Sequence, residues 1–416
     1  MNFLNFKNCA IFSLKLIIYF DQILIYLDNF FMTKKFDYII CGAGLSGLIM
    51  VDKMFKDRFF DNKSVLLIEK DLSHKSQKTW CFWEEKQSMW DDYVIKSWDY
   101  VSFKSSKNQK ETPLNHYCYK MVKSTFFVNS IINKIKNEKN FTILEDEVKG
   151  IYQDDNLVTV NTNSSVFKSD FVFNSLFDLS NLKSKFPLLI QHFKGWTIET
   201  NDDFFNDKVA TIMDFSIEQK NDTRFFYILP ITKKKALIEF TLFSRNFLKD
   251  KEYDDELRDY INSLGIDSYK IIEKEKGAIP MTCHPFENKN SERIIHIGTS
   301  GGWTKPSSGY TFKFIDKNTD KLIAFLKKNK FSKTISFKTR HWAYDLIFLD
   351  VLYNENHIGK ILFEKMFTKN KTENVFRFLD NDSSVTEEIA IAYSFPKYIF
   401  TKSLFKNLGK IFKYYL

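Results

Sequence analysis

The segment Phe36-Asp37-Tyr38-Ile39-Ile40-Cys41-Gly42-Ala43-Gly44-Leu45-Ser46-Gly47 constrains the fold of this chain more than any other. Its apolar first half predicts a buried strand, and the glycines predict a tight turn followed by a helix start. A second apolar run, Ser64 to Ile68, predicts a neighbouring strand that ends on Glu69. Together these make a strand–helix–strand unit with G-x-G-x-x-G at its first turn and a carboxylate at the tip of the second strand. Gly42 permits the turn, Gly44 lets the backbone approach a pyrophosphate, and Gly47 lets the helix pack close to the strand. The unpaired N–H groups of the helix N-terminus suit phosphate, and Glu69 suits ribose hydroxyls. Gly42, Ala43, Gly44, Leu45, Ser46, Gly47 and Glu69 are therefore the candidate dinucleotide-binding residues.

The remaining composition narrows the class. A length of 416 residues accommodates two or three packed units. The formal net charge of +9 fits an anionic partner surface; with no arginine-rich run or nucleic-acid motif, that surface is expected to be a membrane and not nucleic acid. The 5 cysteines are scattered without a C-x-x-C pair, which predicts a reducing compartment, no disulfide framework and no metal site. His284 and His296 read as structural or surface groups. Residues 1–35 form an apolar extension. Lys15, Asp21, Gln22, Asp28 and Asn29 fall on one helical stripe, which suits an interfacial helix better than a spanning one, because a central Asp costs about 3 kcal/mol in hydrocarbon. Met32 as the natural start is an equal reading.

Further along, Met121 to Lys139 predicts a helix, and Phe141 to Val148 and Val158 to Asn161 predict strands. Asp170 to Asn174 predicts a strand returning to the nucleotide sheet. Residues 190–285 read as a β-rich unit inserted into the first, with strands Gly195 to Thr200, Val209 to Phe215, Arg224 to Ile231 and Ala236 to Phe243. The last two form a hairpin around Thr232-Lys233-Lys234-Lys235. Arg293 to Gly298 is again a strand ending in glycine. It is followed by Thr299-Ser300-Gly301-Gly302 and by Pro306-Ser307-Ser308, read as a helix N-terminus. A late strand–glycine–helix joined to an early G-x-G-x-x-G is the layout of a two-part flavin site, which adds Gly298, Thr299, Gly301 and Gly302 to the cofactor candidates. From about Arg340 the pattern is helical. Tyr398 to Leu416 alternates Phe, Leu and Ile with lysines, either as a docking helix or as a basic amphipathic surface on anionic lipid. The expected fold is α/β: a discontinuous Rossmann-like FAD-binding domain (36–189 and 286–339), a β-rich substrate domain (190–285) and a helical region (340–416).

Three motifs then coincide: the glycine unit with Glu69, the run Lys78-Thr79-Trp80-Cys81-Phe82-Trp83-Glu84, and the run Ile297 to Tyr310. With Gln191 to Trp196 and Leu237-Ile238-Glu239-Phe240-Thr241, they resemble the lycopene cyclase family of bacterial carotenoid enzymes. The chain departs from that family at Lys78, where an Arg is frequent, and at Phe240, where many relatives carry a second acid. Thr299 stands where most flavoproteins of the wider fold place Asp, as in the cyclase family.

The resemblance implies redox-neutral, β-ring-forming cyclisation of the linear ends of lycopene. It also implies reduced FAD, with NADPH or NADH as reductant, and peripheral attachment to a membrane on the cytoplasmic side, in association with other carotenoid enzymes. Such a reaction needs a strong acid, a base and a dry cavity that tolerates a cation. Glu239 fits the acid on its own terms: it sits mid-strand among apolar residues, where ionisation is costly and a proton is retained. Trp80, Phe82, Trp83 and Trp196 are the candidates to stabilise the cation with their π faces. A flavin monooxygenase acting on a hydrophobic substrate is the main alternative, and a flavin-binding membrane protein without catalysis is the second.

Overall fold

The structure is a computed structural model that describes residues 34–73, 77–328 and 338–415, so most of the N-terminal extension lies outside the described residues. Along the chain, β1 (Lys34–Cys41) leads through the glycine turn into α1 (Leu45–Lys56) and then β2 (Val65–Glu69). Next come β3 (Thr79–Glu85), β4 (Lys96–Trp98), β5 (Tyr100–Ser105), β6 (Gln109–Pro113), β7 (Tyr117–Lys123) and α2 (Ser124–Ile135). Four strands follow: β8 (Phe141–Glu145), β9 (Val148–Gln153), β10 (Val158–Thr162) and β11 (Val166–Asn174). The second half begins with β12 (Leu188–Thr200), β13 (Val209–Phe215), β14 (Thr223–Pro230), β15 (Lys235–Ser244), α3 (Asp250–Ser263) and β16 (Tyr269–Thr282). Then come β17 (Ile294–His296) and α4 (Phe312–Lys327). The chain ends in α5 (His341–Asn354), α6 (Gly359–Lys369), α7 (Thr372–Leu379), α8 (Val385–Ser394) and α9 (Lys397–Tyr414).

Among the described residues the strands form three sheets. In the first, β8, β2, β1 and β11 run parallel in that order, β17 adds in parallel to β11, and β10 and β9 extend it antiparallel. β1 and β2 are almost wholly buried, as parallel strands covered on both faces must be. This is the doubly wound arrangement that the glycine turn requires, with the strands' C-terminal ends meeting at the glycine loops. α1 packs between this sheet and α4, which brings the early and late glycine segments together.

The second sheet has the order β16-β12-β15-β14-β13-β5-β6. Its central strands β13 and β14 are buried throughout. One face lies under α3, whose Tyr253, Leu257, Tyr260 and Ile261 form a single apolar stripe. The other face packs against the small sheet β3-β7-β4 and the C-terminal helices.

Several local expectations are revised. The run after Lys120 stays extended to Lys123 before α2 begins at Ser124, because Met121 and Val122 pair with β3. The stretch from Phe141 divides at Asp146 into β8 and β9, which belong to opposite ends of the first sheet. The Pro306-Ser307-Ser308 segment is a turn, and the helix begins only at Phe312, after Gly309 at φ +74°. β5 and β6 leave the nucleotide-binding segment to extend the second sheet. β16, a strand of 14 residues at that sheet's edge, was not anticipated.

Candidate active site

The glycine loops form a continuous cradle. Gly42 adopts φ +96°, and its N–H donates to the Ile68 carbonyl at 2.7 Å, closing the turn. A Cβ on Gly47 would lie 1.9 Å from the Gly42 carbonyl oxygen, so only glycine allows α1 to pack there. At Gly44 a Cβ would meet nothing within 4 Å, which leaves an open backbone face at the helix N-terminus, as pyrophosphate requires. Glu69 holds the loop from below: its Oε2 accepts from the Ala43 N–H at 2.7 Å and its Oε1 from the Asp71 N–H at 3.2 Å. Ala43, Leu45 and Ser46 are buried, whereas Gly44 is exposed.

The late segment seals this cradle. Gly298, at φ +62°, sits so close to α1 that a Cβ would lie 2.4 Å from Ser46 Oγ. A Cβ on Gly301 would lie 2.2 Å from the His296 carbonyl oxygen, and Gly302 closes the turn at φ +72°. Thr299 is half-buried beside them. The loop then runs to Tyr310 under firm anchorage. Lys305, fully buried, pairs with Asp345 at 2.9 Å and donates to Asn381 Oδ1 at 2.6 Å, and Ser307 donates to Asp345 at 2.7 Å. Gly309 presses on β12, where its Cβ position is filled by Gln191 Oε1 at 1.8 Å. One loop thus links the glycine cradle to the face of the second sheet.

On that face stands Glu239. Cross-strand register places it opposite Gly195 of β12 and Tyr227 of β14, and Gly195 is in turn opposite Glu275 of β16. Leu237, Thr241 and Phe243 share its side of β15, as the alternation predicts. Glu239 lies deep in the protein yet keeps part of its surface accessible, as do Cys81 and Tyr310 nearby. Burial raises its carboxyl well above the usual range, and the Glu275 charge adds to this against a 3.0 Å hydrogen bond from Thr241 Oγ1. Glu275 is raised chiefly by burial, opposed by Lys123 at 3.7 Å and by Thr79 Oγ1, which donates to Oε2 at 2.6 Å. Tyr119, Tyr227 and Tyr310 converge on the same space. The Tyr310 hydroxyl interacts with those of the other two, and its ring stands edge-on to Trp83 at 4.4 Å.

The sequence-derived aromatics divide. Trp83 faces this space, stacked on Phe376 at 4.3 Å. Trp80 and Phe82 alternate to the other side of β3, where Trp80 meets Phe127 at 5.8 Å and Phe82 stacks on Phe312 at 3.8 Å. Trp196 is adjacent to Gly195 in sequence and so points to the opposite face of the sheet, into the layer under α3. Trp80, Phe82 and Trp196 are therefore corrected as groups facing Glu239; Tyr119, Tyr227 and Tyr310 take that position. Glu275, Gly195 and the three tyrosines were not singled out by the sequence. The alternation Ile271-Glu273-Glu275-Gly277 in β16 was the available signal.

Residues 37–405 match the family described as Lycopene cyclase protein. The chain belongs to the lycopene cyclase family. A lycopene beta-cyclase of Pantoea ananas is 28% identical over 116 residues, which is 27% of this chain and 30% of that relative's length. Among solved structures, a flavoprotein/dehydrogenase from Cytophaga hutchinsonii aligns with a TM-score of 0.60 at 12% identity, covering 91% of this chain and 100% of that one. A geranylgeranyl bacteriochlorophyll reductase-like protein from Thermoplasma acidophilum aligns at 0.56 and 11%, with the same coverage. These likenesses establish a fold shared with flavoproteins of varied chemistry.

Proposed function

We propose that the protein cyclises the linear ends of lycopene to β-rings, giving γ-carotene and then β-carotene, while holding FAD in its reduced form. The single observation that carries this reading is Glu239, a carboxyl whose proton affinity burial raises, set mid-strand beside Tyr119, Tyr227 and Tyr310. Gly42 to Gly47, Glu69 and Gly298 to Gly302 would hold the cofactor, since their open and close-packed faces suit a pyrophosphate and its attached ring system. Bound and reduced by NADPH or NADH, the flavin would supply negative charge able to stabilise a developing cation.

The protein's own part is acid–base work in a dry site. Glu239 gives its proton to the terminal double bond of the substrate and leaves a tertiary cation. The next double bond closes the six-membered ring on that cation. A ring C–H then returns one proton to the site, so no electron is gained or lost overall. Trp83, Tyr119, Tyr227 and Tyr310 present π faces and hydroxyls to the charged intermediate. Exclusion of water from the site would protect the cation from capture.

A hydrocarbon substrate has to be drawn from a membrane. None of the described helices is long and apolar enough to cross one. The reading is supported instead by an exposed stripe on the last two helices. Val385, Ile389 and Tyr393 recur every fourth residue on α8; Tyr398, Phe405 and Phe412 recur every seventh on α9, at 79%, 69% and 64% exposure. Lys402 and Lys413 are exposed beside them, the pattern of a helix resting on anionic lipid.

The test is expression of the wild-type protein in a host that accumulates lycopene, with pigments separated and weighed by mass spectrometry. Cyclic products of unchanged mass are expected. Unchanged lycopene defeats the reading, and a product heavier by oxygen assigns the protein to the hydroxylating flavoproteins instead.

A further inference from the structure

Glu239 does not stand alone, and the register of the second sheet shows why. Gly195 lies between Glu239 and Glu275 on the middle strand, and it has no side chain to keep them apart. A Cβ there would lie 3.4 Å from Glu239 Cβ and 3.2 Å from Glu275 Cγ, so the two acids lean together over the glycine. Each acts on the other's proton affinity: Glu275 raises that of Glu239, and Glu239 lowers that of Glu275. Glu275 Oε2 accepts from Thr79, but its buried Oε1 has no hydrogen-bond donor in the described structure. Phe240, the next residue to Glu239, points into the layer under α3. An acid at that position would face away, so the partner comes from across the sheet.

We propose that Glu275 is the second carboxyl of an acid–base pair with Glu239: anchored by Thr79 and Lys123, it stays ionised, keeps the shared proton on Glu239, and restores the pair to its one-proton state after ring closure. The inference rests on the cyclisation reading above. The proton balance is closed. Glu239 O–H gives its proton to the inner, hydrogen-bearing carbon of the terminal double bond, whose π pair forms the new C–H bond and leaves the cation on the dimethyl-substituted carbon. The second double bond supplies the pair for the ring C–C bond. The pair of carboxyls, now doubly negative, stabilises the cation and takes one ring proton, whose C–H pair becomes the ring double bond. Two carboxylates held this closely cannot both remain ionised at little cost, and that cost favours proton return. The groups facing the pair are Lys123, Glu273, Cys81, Tyr119, Tyr227 and Tyr310. Among these, Lys123 supplies the positive charge, at 3.7 Å from Glu275 and 3.0 Å from Glu273. Glu275 acts through Glu239 and is therefore a positioning residue.

The experiment is infrared titration of the flavin-loaded protein, carrying isotope-labelled glutamate, alongside the pH profile of cyclisation. The wild type is expected to show a protonated glutamate signal that persists to near neutral pH and vanishes in Glu239→Gln. In Glu275→Gln the amide removes the like charge, so that signal and the alkaline limb of the rate should both move down by about one pH unit or more. The rate at neutral pH should fall roughly tenfold or more. Thr79→Val is the milder second variant; it removes a donor from ionised Glu275 and should move the same limb upward. Retained flavin absorbance reports folding in each variant. If Glu275→Gln and Thr79→Val leave both the signal and the profile unmoved, Glu275 is a packing residue and the pair does not exist. If the wild type makes no cyclic product, the cyclisation reading falls, while the infrared titration still decides the pair.

Discussion

Two glycines carry the design at the scale of single residues, each by what it lacks. Gly47 lets α1 approach β1, and Gly195 lets two acids meet across a strand. Gly47→Ala sets a methyl 1.9 Å from a backbone oxygen that cannot move aside. Overpacking of this kind costs about 1–3 kcal/mol or more and displaces the Gly42–Gly44 turn proposed to bind phosphate. The variant is expected to purify with little or no bound flavin, as read from its visible absorbance; full loading would show that the helix tolerates the shift. Gly47 was legible because its spacing from Gly42 and Gly44 forms a linear motif. Glu239 was legible because a lone acid in an apolar alternating strand is conspicuous. Gly195 and Glu275 were not, since their meaning arises only when β12 is threaded between β15 and β16. Long-range register of that kind has no local signature.

At the scale of elements, the chain's apolar strands were readable and its charged edge strand was not. β16 runs Tyr-Lys-Ile-Ile-Glu-Lys-Glu-Lys-Gly before it turns apolar, the composition of a solvated edge, and Pro280 is tolerated there because the edge leaves an N–H unneeded. The aromatic-rich strand β3 was read as one motif, yet alternation sends its aromatics to two different layers. α8 and α9 supply the element-scale prediction. Phe405→Glu combined with Tyr398→Glu places charge on the exposed stripe without touching the core. Sedimentation with anionic lipid vesicles should then fall roughly tenfold or more, with flavin content unchanged. Equal sedimentation of variant and wild type would remove this stripe from the membrane contact.

For the whole molecule, the C-terminal helices brace the loop that joins cofactor cradle and acid. Asp345 of α5 holds Lys305, and Asp380, just after α7, lies near Trp83, Lys317, Lys313 and Asp382. Burial, ahead of those neighbouring charges, pushes Asp380 up from its ordinary 3.8 to about 7. A carboxyl raised on folding contributes stability fully below its unfolded value and loses it as pH climbs through the folded one. The rise corresponds to about 4 kcal/mol, so the thermal midpoint should decline between about pH 4 and 7, and Asp380→Asn should flatten that decline. A variant that declines as steeply as the wild type would place the effect elsewhere, in the other raised carboxyls Glu239, Glu275 and Asp345.

The account turns on one carboxyl performing the chemistry in a protein whose fold neighbours include reductases and dehydrogenases. The most direct measurement compares wild type and Glu239→Gln in a lycopene-accumulating host, with bound flavin quantified in both purified proteins. The account predicts cyclic carotenoid from the wild type, lycopene alone from the variant, and equal flavin in each. Cyclic product from Glu239→Gln at the wild-type level would contradict it.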